Sequence, residues 1–319
     1  MTTTSQQQIE LLQSGDLRTL SRLISRVENQ DGGALALIAD LWAANPEARI
    51  LGVTGPPGAG KSTFVDGLVS RLRSDEHRVA VLAVDPSSPF SGGAILGDRI
   101  RMQSHAADPD VFIRSLGTRG HQGGLSRTTR EAAVLCAAAG FDRIVIETVG
   151  VGQTELEVVG VAHQVLVLLV PESGDVIQTM KAGLMECADV FVVNKADRGG
   201  ADRLAVSLVS MLEEGEALAP GESPPVFTAS AMTGDGMDEL LTAVCGRLDA
   251  GLVSPRTLSL RDMAARLFGS EVAQRSAAQA CVRLAEGGDL AEEGLRLDRG
   301  ETNPYAVVRR LLGEDPQRS

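Results

Sequence analysis

The stretch that most narrows what this chain can become is Gly55-Pro56-Pro57-Gly58-Ala59-Gly60-Lys61-Ser62-Thr63. It follows the apolar run Ile50-Leu51-Gly52-Val53, which reads as a buried strand. It precedes Phe64, Val65, Leu68, Val69 and Leu72, whose spacing puts one apolar face on a helix. Strand, glycine-rich loop and helix, in that order, form the setting of a phosphate-binding P-loop. Glycines leave room for backbone N–H groups to close around phosphate oxygens, and the helix N-terminus adds a favourable dipole. The cradle comprises Gly55, Pro57, Gly58, Ala59, Gly60, Lys61, Ser62 and Thr63. Lys61 is placed to reach the β- and γ-phosphates, and the Ser62 hydroxyl to ligate Mg²⁺. A chance glycine turn would have no reason to carry both flanks.

The rest of the chain extends this unit into an α/β fold. Short apolar runs alternate with helical patterns between residues 46 and 250. The strand candidates are Ile50–Val53, Val79–Val84, Val111–Ile113, Arg143–Ile146, Val165–Val170, Val190–Val193 and Val226–Thr228. They are mostly β-branched and lack polar alternation, as expected of strands covered on both faces. The order predicts a mostly parallel sheet of the P-loop NTPase kind, flanked by helices and joined by right-handed crossovers. Ligands in such sheets bind beyond the strand C-terminal ends. Residues 1–45 read as an N-terminal helical arm, with Leu17, Leu20, Leu23, Ile24 and Val27 at helical spacing. Asp16 is its N-cap candidate, and Gly15 breaks the pattern before it. After Gly251-Leu252-Val253-Ser254-Pro255 the strand signal vanishes, so residues 251–319 read as a helical tail that packs on the core or on another subunit.

Composition excludes several partners. The formal net charge of -12 would be repelled by a phosphate polymer, which argues against nucleic acid. A P-loop still binds an anionic nucleotide through local dipoles and Mg²⁺. Cys136, Cys187, Cys245 and Cys281 lie far apart with no CxxC pair, which suits buried, reduced thiols. The start MTTTSQQQ lacks the basic-then-apolar order of a signal peptide. The longest apolar stretch, Val165 to Val170, is strand-sized and far short of a membrane span. The expectation is a soluble, cytoplasmic protein.

Further motifs close the predicted strands. Asn194-Lys195-Ala196-Asp197 follows Val190–Val193. An Asp carboxylate there accepts from both N1–H and the 2-amino group of guanine, a donor pair that adenine lacks. Asn194 is placed to meet the other edge of the base, and the Lys195 stem to lie over the ring. Ser230-Ala231, after Val226–Thr228, fits a backbone N–H contact to the guanine carbonyl. Glu147-Thr148-Val149-Gly150 closes Arg143–Ile146. Glu147 is placed to hold Mg²⁺ directly or through water, and Gly150 to offer its N–H to the γ-phosphate. Most Ras-type GTPases carry DxxG here; this chain has Glu. Asp85 ends the second strand, and Asp98 lies past the loop that follows. Mg²⁺ takes one or two carboxylates plus waters and phosphate oxygens. Asp85, Asp98 and Glu147 exceed that, so some act through water or exchange as the loop moves. Asp98 reads equally as a helix-start acid ahead of Arg99.

Taken together, GPPGAGKST, VDPSSPFSGGAILGDRIRM, RSLGTRGHQGGLS, IETVGVGQTE and NKAD resemble the MeaB/ArgK/MMAA family of P-loop GTPases, over about residues 35–250. The resemblance implies a GTP/GDP- and Mg²⁺-binding chaperone of an adenosylcobalamin-dependent acyl-CoA mutase, typically methylmalonyl-CoA mutase. In that family the nucleotide gates cofactor loading and protects or reactivates the mutase. By the same resemblance, Asp85, Asp98 and Glu147 fall on the Mg²⁺-site acids, alongside Ser62. The segment from Pro171 through Asp175, Gln178 and Lys181 falls on a mobile loop that talks to the mutase, with Lys181 a catalytic candidate. The tail resembles a dimerisation arm, which implies a homodimer.

The residues also bear on rate. Ras-like enzymes place a Gln just after DxxG to orient the attacking water. Here that position is Val151, which cannot hydrogen-bond, and the candidate Gln153 lies two residues on. The expectation is slow hydrolysis alone, completed by a partner. Arg99, Arg101, Arg114, Arg119, Arg127 and Arg130 either meet phosphate or an acidic partner, or lie on solvated faces. Three other functions compete. A metal-insertion GTPase would need a metal-collecting cluster, which four scattered histidines do not form. A kinase linked to amino-acid transport would need an acceptor site and a base. A dead adaptor would not need Lys61 and Ser62.

Overall fold

Alternate side chains of seven strands point into two separate apolar layers, and this double patterning places everything else. The computed structural model describes residues 5–29, 31, 33–34, 37–38, 41, 48–85, 103–105, 107–117, 124–148, 160–173, 188–214, 223–250, 291–292, 295 and 299; at 85, 103, 124–127, 173 and 214 this is the backbone alone. The strands are β1 (Arg49–Thr54), β2 (Val79–Asp85), β3 (Val111–Gly117), β4 (Arg143–Thr148), β5 (Gln164–Leu169), β6 (Val190–Val193) and β7 (Val226–Thr228). They form one sheet in the order β3-β2-β4-β1-β5-β6-β7. Every neighbouring pair is parallel.

One layer receives Leu51 and Val53, Val79 and Val81, Leu166 and Leu168, and Val190 and Val192. There they meet α3 (Lys61–Ser74) through Phe64, Val65, Leu68, Val69 and Leu72, and α6 (Met237–Asp249) through Leu240, Leu241 and Val244. The other layer receives Ala80, Leu82, Val84, Ile144, Ile146, Val165, Val167, Leu169, Phe191 and Val193. It is covered by α1 (Ser5–Gln13), α2 (Leu17–Glu28), α4 (Gly124–Ala138) and α5 (Ala201–Glu214). Full burial of each such aliphatic chain contributes about 2 kcal/mol. That is why the strands show no polar alternation.

All seven expected strands are present, with ends shifted by no more than two residues except at β3. The apolar run predicts Val111–Ile113, whereas β3 continues to Gly117 in register with β2, from Val79↔Val111 to Asp85↔Gly117. Polar Arg114 hides the extension. On this edge strand its guanidinium turns to α2, donating to Glu28 Oε2 at 2.8 Å and to Ser25 Oγ at 3.0 Å. Asp16 caps α2 by accepting the Thr19 N–H at 3.0 Å. The chain divides into two compact units, Met1–Thr257 and Leu258–Ser319. Of the helical tail expected over residues 251–319, only 291–292, 295 and 299 are described. No described helix is long and apolar enough to cross a membrane.

Candidate nucleotide-binding site

The C-terminal ends of β1, β4, β6 and β7 meet at one rim, and the motifs meet with them. The loop between β1 and α3 starts at Gly55, where φ is +142°. A Cβ there would stand 2.2 Å from the Leu168 carbonyl oxygen of β5, so only glycine lets the loop leave the sheet at this point. Gly60, at φ +83°, is the N-cap of α3 and brings no side chain to its first turn. That leaves helix amides and the positive dipole end for an anion. A Cβ on Gly60 would also approach Asn194 Nδ2 to 2.7 Å. Ala59 is buried in the α3 layer, whereas Pro57, Gly58 and Thr63 are exposed.

Lys61 is 7% exposed and donates from Nζ to the Gly55 carbonyl at 2.8 Å and the Pro56 carbonyl at 3.0 Å. Its ammonium therefore sits inside the curl of the loop. Ser62 Oγ donates to Glu147 Oε1 at 2.7 Å, a buried contact between α3 and β4. Glu147 is 4% exposed and shares its face of the sheet with Val145, which brings it to α3. The donor set is hydroxyl plus carboxylate, two hard oxygen ligands of the kind Mg²⁺ takes. The backbone of Asp85 ends β2 at the same rim; its side chain, with Asp98, Gly150, Gln153 and Lys181, lies outside the described residues.

The second half of the site is bound to the first by hydrogen bonds. Asn194 is 1% exposed. Its Nδ2 donates to the Ala59 carbonyl at 2.8 Å, and its Oδ1 accepts the Ala231 N–H at 3.1 Å. The amide expected at a base edge is thus committed inward, and so is the Ala231 N–H. The Ser230 N–H likewise goes to the Asp235 carbonyl, at 2.8 Å. Lys195 has φ +59° and donates from Nζ to the Gly58 carbonyl at 2.7 Å, so its stem spans from the NKAD turn to the P-loop. Asp197 is exposed, and its Oδ1 accepts from Ser230 Oγ at 2.6 Å. That hydroxyl, helped by the cations of Arg198 and Lys195, holds the Asp197 carboxyl below its ordinary value. The group is an ionised acceptor, the chemistry that a base with two adjacent donors requires.

Other expectations resolve into structure. Arg130 donates to the Gly160 carbonyl at 2.8 Å, and Arg114 is the α2 contact described above. Arg99, Arg101 and Arg119 lie outside the described residues, as does the Arg127 side chain. His77 pairs with Asp142 at 2.6 Å, and His163 accepts the Ile50 N–H on Nδ1 at 2.8 Å. Burial pushes the Cys136 thiol up, which marks it as inert. Sequence reasoning missed the inward role of Asn194 and a buried contact between Thr148 and Thr54. Neither leaves a periodic signal, because each partner comes from a distant part of the chain.

Comparison with known proteins agrees with this geometry. Residues 20–254 match the family described as "Methylmalonyl Co-A mutase-associated GTPase MeaB". A Pyrococcus horikoshii protein named provisionally as a GTPase is 50% identical over 236 residues, 73% of this chain and 74% of that one. The mouse mitochondrial methylmalonic aciduria type A homolog is 44% identical over 193 residues, 60% of this chain and 46% of that one. A crystal structure of an LAO/AO transport system kinase aligns at TM-score 0.66 and 27% identity, covering 97% of each chain. With its P-loop, its guanine-type NKAD turn and its parallel sheet, the chain belongs to the MeaB family of GTPases.

Proposed function

We propose that this chain is a GTP-hydrolysing chaperone of an adenosylcobalamin-dependent acyl-CoA mutase, with methylmalonyl-CoA mutase the partner of first choice. The observation that carries the reading is the direct bonding of the NKAD turn to the P-loop, Asn194 to Ala59 and Lys195 to Gly58. One rigid rim then holds a base-reading carboxylate and a phosphate cradle together. The family description names the mutase, and the mouse relative is named for methylmalonic aciduria.

In this reading Lys61 and the loop amides hold the phosphates. Asp197 selects guanine, and Asn194 keeps the two loops at one spacing. Ser62, Glu147, Asp85 and Asp98 are the residues that would hold Mg²⁺, which when bound would supply charge neutralisation at the phosphates. Gly150 senses the γ-phosphate, and Gln153 and Lys181 serve the hydrolytic step. The tail, residues 251–319, dimerises the protein. The protein works in the cytoplasm, without nucleic acid or membrane.

Val151, where Ras-like enzymes carry a water-orienting Gln, makes hydrolysis by the chain alone slow. A partner that supplies the missing group is expected to accelerate it by about 10³-fold or more, the scale of an added arginine finger. The test is GTP turnover with and without purified candidate mutases, beside pull-downs in GDP and in a non-hydrolysable GTP analogue. Turnover of several per second by the chain alone, unchanged by any mutase, would refute the proposal.

A further inference from the structure

Consecutive residues of β4 hold both ends of the P-loop, from opposite faces of the sheet. Glu147 lies on the α3 face and takes Ser62 Oγ at 2.7 Å, where the loop runs into α3. Thr148 lies on the other face and donates its hydroxyl to Thr54 Oγ1 at 2.8 Å, where β1 runs into the loop. Thr54 is 0% exposed and Thr148 1%. The register of β1 on β4 ends at Val53↔Glu147, so the hydroxyl bond takes over one residue past the last paired position. The next residue after Thr54 is Gly55, pressed from the other side against the Leu168 carbonyl of β5.

Two hydroxyls buried on an apolar face are unfavourable unless they satisfy one another. The backbone pairing of β1 with β4, from Arg49↔Arg143 onward, already joins these strands. What the hydroxyls add is a fixed distance between the start of the P-loop and the point where the chain leaves β4 toward Gly150. We infer that Thr54 and Thr148 are positioning residues of the GTPase cycle. Their bridge holds the C-terminal end of β4 at a set distance from the start of the P-loop. This inference rests on the nucleotide reading of the site given above.

The experiment compares Thr54→Val, Thr148→Val and the double variant in melting temperature, GDP affinity and GTP turnover. Each single variant orphans one buried hydroxyl and should melt below the parent. The double variant removes both and should recover most of that loss. A purely structural pair would then recover turnover as well. A positioning pair would not: the double variant is expected to keep GDP affinity within about twofold and lose roughly tenfold in kcat, since small misplacements of reacting groups are costly. Thr148→Ser, which keeps the hydroxyl, should match the parent, and Thr148→Ala should be slow. A double variant with parental kcat, or equal rates for the serine and alanine variants, would overturn the inference. A parent protein that bound no GDP would instead sink the nucleotide reading beneath it.

Discussion

A carboxylate selects guanine by accepting from two donors at once, so its ionisation and its placement both matter. In the proposed site Asp197 is that carboxylate, ionised beside the Ser230 hydroxyl at 2.6 Å and carried on the turn bonded to the P-loop. Asp197→Asn exchanges one acceptor for a donor, which meets the guanine N1–H badly but suits the 2-carbonyl of xanthine. GTP affinity is expected to fall at least about tenfold while xanthosine triphosphate binding rises, read by competition against a fluorescent nucleotide. Unchanged preference for GTP would show that another group reads the base. Asn194 teaches the converse at the same scale. Its sequence neighbourhood points to the ligand, yet its amide holds protein to protein, from Ala59 to Ala231.

Helix α2 and strand β3 show how an element is placed by a contact that its own sequence disguises. α2 is legible from Asp16 onward, because its cap and its apolar stripe are local. β3 is legible only to Ile113, because Arg114 belongs to a pairing with Glu28, 86 residues away. The pair is well covered, with side-chain exposures of 20% for Arg114 and 7% for Glu28. Removing one partner strands the other, so Glu28→Ala is expected to cost about 3 kcal/mol. Glu28→Ala with Arg114→Met should cost less, because no charge is left alone. Urea midpoints of the parent, Glu28→Ala, Arg114→Met and the double variant check this, and additive losses would show that the pair does not couple α2 to the sheet edge.

In the molecule as a whole, the central strand β1 is where the fold and the site share material. It lies between β4 and β5 and feeds the P-loop directly. Its start is clamped by His163, whose Nδ1 accepts the Ile50 N–H while the His163 backbone N–H donates to the Ile50 carbonyl at 2.8 Å. Burial, with the Arg49 charge nearby, lowers the His163 pKa from its ordinary value near 6.5. The folded state therefore favours the neutral ring, and the unfolded chain binds the proton more readily. Stability from this group is present above about pH 6.5 and is lost as pH falls below it toward the folded value. Denaturant midpoints measured from pH 7.5 down to 5.5 should fall, and fall less steeply in His163→Asn. Parallel pH profiles for the two proteins would remove His163 from the account.

The one-dimensional string by itself determined the class of fold, the seven strands and the nucleotide motifs. Each of these is written locally: apolar runs of strand length, a glycine loop between strand and helix, and four-residue turns at strand ends. Only the tertiary structure decided which polar groups able to serve a ligand are bonded within the protein instead. Asn194, Arg114, Thr54 and Thr148 have the right chemistry for either role. Their partners stand 135, 86 and 94 residues away along the chain. Distances of that kind are closed by the order of strands in the sheet, and no local pattern of side chains encodes them.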